Sequence, residues 1–179
     1  MNCLHDLWRA GTKPWPCHRL LVRHTHRLTD QYTELTHAGV AEKRVLVITA
    51  DWNKEITENL SRGCVETLAF KGLKPANIQE IHVPGAVELV YAAAKNLDPK
   101  RFDAIVVIGC VIRGETAHFD YVCKSVTDGV TALNLQAQIP VIFCVLTDDT
   151  IEQSRARSGG ALGNKGEEAA LAALQMSLL

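Results

Sequence analysis

An imidazole just beyond the end of an apolar strand is well placed to move protons at neutral pH. His118 stands there, following Ile105-Val106-Val107-Ile108 and the turn-rich Gly109-Cys110-Val111-Ile112-Arg113-Gly114-Glu115-Thr116-Ala117. Gly114-Glu115-Thr116 presents backbone N–H groups and a hydroxyl ahead of a helix start, an arrangement suited to a phosphate. The Glu115 carboxylate has the wrong charge for that ligand, but its side chain can turn away while its N–H binds. Trp52, directly after an earlier apolar run, is either a partly buried anchor or a stacking platform for a flat heteroaromatic ring. Pro84-Gly85-Ala86 forms a turn with unhindered backbone, and Glu88 lies just inside the helix that follows. Taken alone, such an acid complements the helix dipole. Arg157, taken alone, would form a surface salt bridge. Asp120, in the same turn as His118, is a candidate to orient the imidazole.

These residues need a scaffold that brings distant loops together, and the rest of the sequence supplies one. Val45-Leu46-Val47-Ile48 reads as a buried parallel strand, and Lys54 to Lys71 as a helix with Ile56, Leu60, Cys64 and Leu68 on one face. Asn53 can cap that helix and Gly72 can stop it. The alternation continues with a strand from Ile78 to Val83, a helix from Val87 to Leu97 and a strand from Phe102 to Ile108. A helix from His118 to about Gln136 and a strand from Val141 to Leu146 follow, then a short helix from Thr150 to Arg157 and a final one from Glu167 to Met176. Such alternation predicts right-handed crossovers and a flavodoxin-like three-layer αβα sandwich with a four-stranded parallel core sheet. In a doubly wound sheet of this kind the loops at the carboxyl edge are neighbours, so residues 50–53, 84–88 and 109–118 and the stretch from Thr147 onward should meet there.

Generic nucleotide motifs are missing. No GxGxxG follows the first strand, and Gly159-Gly160-Ala161-Leu162-Gly163-Asn164-Lys165-Gly166 lacks the lysine and hydroxyl pairing of a phosphate-binding P-loop. At 179 residues and 47% hydrophobic, the chain is long enough for one well-buried α/β domain plus an appendage. A net charge of −1 gives no basic field for nucleic acid. No apolar run approaches the roughly 18 to 20 residues that span a bilayer, so a soluble protein with no membrane partner is expected. The six cysteines, Cys3, Cys17, Cys64, Cys110, Cys123 and Cys144, form no CxxC pair and read as reduced thiols, which points to the cytoplasm.

Residues 1–43 differ from the rest and read as an N-terminal extension, expected to be poorly ordered, ahead of a domain over 44–179. They hold His5, His18, His24, His26 and His37, together with the irregular Thr12-Lys13-Pro14-Trp15-Pro16. The basic stretch from Leu7 to Thr29, free of Asp and Glu, has the charge bias of a transit peptide but contains no Ser. Cys17 with His24-Thr25-His26 lacks a second pair at a usual zinc spacing, so no metal site is assigned.

In combination, Val83-Pro84-Gly85-Ala86-Val87-Glu88, Gly114-Glu115-Thr116-Ala117-His118-Phe119-Asp120-Tyr121, Thr150-Ile151-Glu152-Gln153-Ser154-Arg155-Ala156-Arg157 and Gly163-Asn164-Lys165-Gly166 resemble the lumazine synthase family over about residues 45–179. The resemblance implies the condensation of 5-amino-6-(D-ribitylamino)uracil with 3,4-dihydroxy-2-butanone 4-phosphate. The products would be 6,7-dimethyl-8-ribityllumazine, phosphate and water, with no cofactor and no metal.

The resemblance also implies roles. Trp52 would stack on the pyrimidine, the backbone of Ala86 and Val87 would contact its ring, and Glu88 would hold the ribityl chain. Cys110, Val111 and Ile112 would complete that pocket, with Phe143 reaching it from a neighbouring subunit. Glu115, Thr116 and Arg157 would bind the phosphate-bearing substrate, together with Gly114 and Lys165, and His118 would be catalytic. Ala161 and Leu162 stand where some members carry a lysine, and Arg155 is the residue most easily confused with Arg157. Homopentamers are implied, with the choice between free pentamers and icosahedral 60-mers left open, and riboflavin synthase is a candidate partner. The alternative from another class is a non-catalytic flavin-binding shell protein on the same fold.

Overall fold

β-Branched and aliphatic residues crowd the first strand, β1 (Val45–Ala50), and every one of its six side chains is buried. Such a strand needs a partner on each edge and a layer on each face. In the computed structural model, which describes residues 39–179, it has both. β1 lies between β2 (Ile78–Val83) and β3 (Ala104–Ile112), and β4 (Val141–Asp148) closes the far edge, giving a parallel sheet in the order β2-β1-β3-β4. One face packs on α1 (Lys54–Phe70) and α5 (Lys165–Met176), where Val45, Val47, Val106 and Ile108 meet Ile56, Leu60, Ala170 and Leu174. The other packs on α2 (Ala86–Lys95) and α3 (His118–Gln136), where Leu46, Ile48, Ile105 and Val107 meet Leu89, Ala93, Val126 and Val130. This is the expected three-layer αβα sandwich. Val40, fully buried, joins the α1/α5 side of the core.

Four local outcomes differ from expectation. β3 does not end at Ile108: its pairing with β4 continues from Gly109↔Val145 to Ile112↔Asp148, so both strands run further and Cys110, Val111 and Ile112 belong to the sheet. Phe102 lies ahead of β3 and packs on the α2/α3 side. Asn53 occupies the N-cap position of α1 in a left-handed conformation, φ 58° and ψ 47°, but makes no side-chain cap. Its amide is drawn away to β3. Between α4 (Ile151–Arg157) and α5 a small antiparallel hairpin, β5 (Ser158–Gly160) with β6 (Gly163–Asn164), occupies what the sequence shows only as a glycine-rich link.

The Gly72 stop acts as read. Gly72, at φ 99°, turns the chain after α1 while the Leu73 N–H donates to the Leu68 carbonyl. Thr150 caps α4 in a reciprocal box with Gln153. Cys64, Cys110, Cys123 and Cys144 are free thiols. No helix among the described residues is long and apolar enough to cross a membrane. Most of the N-terminal extension, with Cys17, His24 and His26, lies outside the described residues.

Candidate active site

The loop after β1 is held by continuation of the sheet ladder. The Asp51 N–H donates to the Val83 carbonyl at 2.8 Å and the Trp52 N–H to the Pro84 carbonyl at 3.2 Å, which sets Trp52 beside the turn after β2. The indole is 71% exposed, too open for a core anchor. Near the end of β2, His82 Nδ1 lies 2.9 Å from Asp51 Oδ1 in the loop after β1. Gly85 is extended and leads directly into α2, whose first turn carries Glu88. A Cβ on Gly85 would come within 3.0 Å of Glu88 Oε2, so the glycine leaves room for the carboxylate.

β3 supplies the floor. Cys110 is almost fully buried and donates its S–H to Ser154 Oγ at 3.4 Å. Burial pushes its thiol above the ordinary range, with the Ser154 hydrogen bond opposing in part, so it serves as a neutral wall rather than a nucleophile. Val111 and Ile112 follow, half-buried.

Arg113 then anchors the loop that leads to α3. Its Nε donates to Asp149 at 2.8 Å and its Nη1 to Asp120 at 3.1 Å, while the guanidinium carbon lies 4.1 Å from the centre of the Phe119 ring. This corrects one expectation. Asp120 is engaged by Arg113 rather than set to orient His118, because the charged guanidinium reaches both of its carboxylate oxygens through Nη1, at 3.1 and 3.4 Å. His118 opens α3, and its backbone N–H donates to Thr116 Oγ at 3.4 Å. Among the described residues no hydrogen bond restrains its imidazole.

Trp52, Ala86, Val87, Glu88, Cys110, Val111, Ile112, Gly114, Thr116 and His118 thus line one cleft of about 500 Å³. That size suits a small organic ligand. Phe119 and Val122 line it too. Sequence spacing did not single them out, although Val122 lies four residues beyond His118 on the same helical face. Glu115 is exposed and is not part of this lining.

Phe143, Arg157 and Lys165 are elsewhere. They line a second concavity of about 420 Å³ with Thr147, Asp148 and Glu168. Arg157 donates from Nη1 to the Gln153 carbonyl at 3.0 Å, and its Nε is 4.0 Å from Asp148 Oδ1. Lys165 Nζ pairs with both oxygens of Glu168 at 2.8 Å. Arg155 is occupied on another surface by a two-pronged pair with Glu55, at 2.9 and 3.0 Å, which holds the Glu55 carboxyl below its usual range. The helix therefore presents Arg157, not Arg155, to the concavity. Glu168 was within reach of sequence reasoning, three residues after Lys165 on one helix. Asp148 carried no such local signal.

The family model described as 6,7-dimethyl-8-ribityllumazine synthase matches residues 42–179. A protein of that name from Parabacteroides distasonis is 50% identical over 136 residues, covering 76% of this chain and 85% of the relative. One from Christiangramia forsetii is 49% identical over 151 residues, covering 84% and 90%. One from Porphyromonas gingivalis is 46% identical over 152 residues, covering 85% and 94%. With a family match that takes in both concavities and relatives of this identity along nearly their whole length, the chain belongs to the 6,7-dimethyl-8-ribityllumazine synthase family.

Proposed function

We propose that the protein condenses 5-amino-6-(D-ribitylamino)uracil with 3,4-dihydroxy-2-butanone 4-phosphate to give 6,7-dimethyl-8-ribityllumazine, phosphate and water. The observation that carries this reading is the meeting of the Trp52 indole, the Glu88 carboxylate, Gly114, Thr116 and the His118 imidazole around a single cleft. An exposed indole can stack on a flat pyrimidine. A carboxylate in a first helical turn accepts several O–H bonds from a polyol at once. The floor from Cys110 to Ile112 belongs to a paired strand, so ring contacts there are rigid.

In the reaction the amine attacks the ketone and loses water to form an imine, and a proton leaves C3 as phosphate leaves C4. The resulting enol tautomerises to a new carbonyl at C3, and the ribityl-bearing nitrogen captures that carbonyl and loses a second water to close the ring. Each step moves a proton. His118, at the start of α3 and on the cleft wall, is positioned to give and take them, while the cleft holds the two substrates in reactive proximity.

Phe143 and Arg157, assigned to the ring and the phosphate, line a separate concavity of the same chain. That separation supports a site completed between subunits, with one chain offering the Trp52 cleft and its neighbour the Phe143 concavity in a head-to-tail ring. A homopentamer fits this arrangement.

The test is steady-state absorbance with both substrates and purified protein. Lumazine and phosphate should appear in equal amounts, and His118→Ala should lower turnover by roughly 10² to 10⁴ while still binding substrates. Tight flavin binding without any product would replace this reading with a non-catalytic one.

A further inference from the structure

Behind Arg157 lies a carboxylate held on both sides. Ser154 is fully buried, and its hydroxyl donates to Asp148 Oδ2 at 2.7 Å while accepting the Cys110 S–H at 3.4 Å. The other carboxylate oxygen, Oδ1, faces Arg157 Nε at 4.0 Å. The backbone of Asp148 is also fixed, paired in register with Ile112 and accepting the Arg113 N–H at 3.0 Å. Satisfying Ser154 would need only a neutral acceptor. A recessed carboxylate costs desolvation, and among the described residues the cationic group paired with it is the Arg157 guanidinium.

The two groups differ in access: the Arg157 side chain is 35% exposed and that of Asp148 only 11%. An anion entering the second concavity meets the guanidinium first. The carboxylate behind it then acts as an orienting counter-charge rather than as a barrier.

We propose that Asp148, steadied by Ser154, is a positioning residue that holds the Arg157 side chain ready for the phosphate of the second substrate. This rests on the reading of Arg157 given above. Arginine carries a long, rotamer-rich side chain, and a ligand that must order it binds more weakly than one that finds it in place. The Gln153 carbonyl restrains Nη1 from one side and Asp148 restrains Nε from the other.

The experiment is a double-mutant cycle on steady-state kinetics, with inorganic phosphate as a competitive probe. Asp148→Asn should raise KM for the phosphate-bearing substrate, and the inhibition constant of phosphate, roughly three- to tenfold, with KM for the pyrimidine unchanged. Ser154→Ala should act in the same direction to a smaller extent. In an Arg157→Ala background Asp148→Asn should add nothing further, an outcome that a merely structural role would not produce.

Equal losses for both substrates, additivity with Arg157→Ala, or a fall in the phosphate-side KM would each overturn the proposal. Should Asp148→Asn fail to fold, Ser154→Ala in the same cycle decides by the same criteria. If Arg157→Ala alone leaves the phosphate-side KM untouched, the assignment of Arg157 fails and this inference falls with it. If only the Asp148 arm is silent, the inference alone fails.

Discussion

The Asn53 side-chain amide donates to the Cys110 carbonyl at 2.9 Å, tying the loop that carries Trp52 to the strand that floors the cleft. The same residue sits in left-handed backbone, a conformation that Asn tolerates better than other residues with a side chain. One side chain therefore sets both the turn and the wall of the cleft.

Replacing Asn53 separates these two contributions. Asn53→Ala should cost about 2 kcal/mol, from a lost hydrogen bond and a strained backbone, and Asn53→Gly about 1 kcal/mol, because glycine removes the strain only. Both should raise KM for the pyrimidine. Urea unfolding at a fixed protomer concentration gives the comparison, and equal costs would show that the backbone conformation contributes nothing.

Packing of α1 on α5 depends on Gly166, where a Cβ would lie 1.9 Å from the Leu60 carbonyl oxygen. Backbone on both sides cannot yield as a flexible side chain would. Gly166→Ala should destabilise the fold by about 3 kcal/mol or more, read as a lowered urea midpoint. A midpoint within error of the parent would mean that the helices have room to separate.

Buried thiols set the alkaline limit of stability. The Cys144 thiol, enclosed in the core and close to Glu168, is pushed up to about 12 from 9.0, and burial also raises Cys64 well above that ordinary value. Above pH 9 the unfolded chain releases these protons while the native chain keeps them, so unfolding becomes more favourable as pH rises between about 9 and 12, by about 1 kcal/mol per pH unit for each such thiol. Cys144→Ala should flatten the slope in urea titrations over that range. An unchanged slope would assign the alkaline loss to other groups.

Ownership of the site by two subunits predicts complementation. Trp52→Ala/His118→Ala chains and Phe143→Ala/Arg157→Ala chains, each inactive, are refolded together in equal amounts. About a quarter of head-to-tail interfaces then join two intact faces, and activity per site should recover to about a quarter of the parent value. Mixed rings as inactive as either variant alone would place the whole site within one chain.

Burial of the described chain begins with Val40, and the family match begins at residue 42. Removing residues 1–38 should therefore leave an active, folded enzyme. Removing 1–43 also deletes the fully buried Val40 and the Ala41 carbonyl that accepts from Asn77, and should cost about 2 kcal/mol in a thermal or urea melt. Inactivity of the shorter truncation would assign those first residues a part in folding or assembly.

What could be read from the sequence was what depends on near neighbours along the chain. Spacing of four marked Ile56, Leu60, Cys64 and Leu68 as one face of a helix, and all four are fully buried. The β-branched runs at Val45 and Ile105 marked strands covered on both sides, and a turn-rich segment before His118 marked the start of α3. Such signals are local because side-chain direction follows the backbone period.

Tertiary structure decided the rest. Asn53 has the chemistry of a helix cap, and only the carbonyl of Cys110, 57 positions away, explains why its amide turns elsewhere. Arg155 and Arg157 are two residues apart on one helix, yet Glu55, 100 positions from Arg155, occupies the first and leaves the second facing the concavity. β3 reaches Ile112 because β4 pairs with it that far, and Asp148 gains its partners Ser154 and Arg157 only where β4 runs into α4. Competition among hydrogen-bond and ionic partners is settled by which groups the folded sheet brings within about 3 to 4 Å, a distance that sequence separation does not encode.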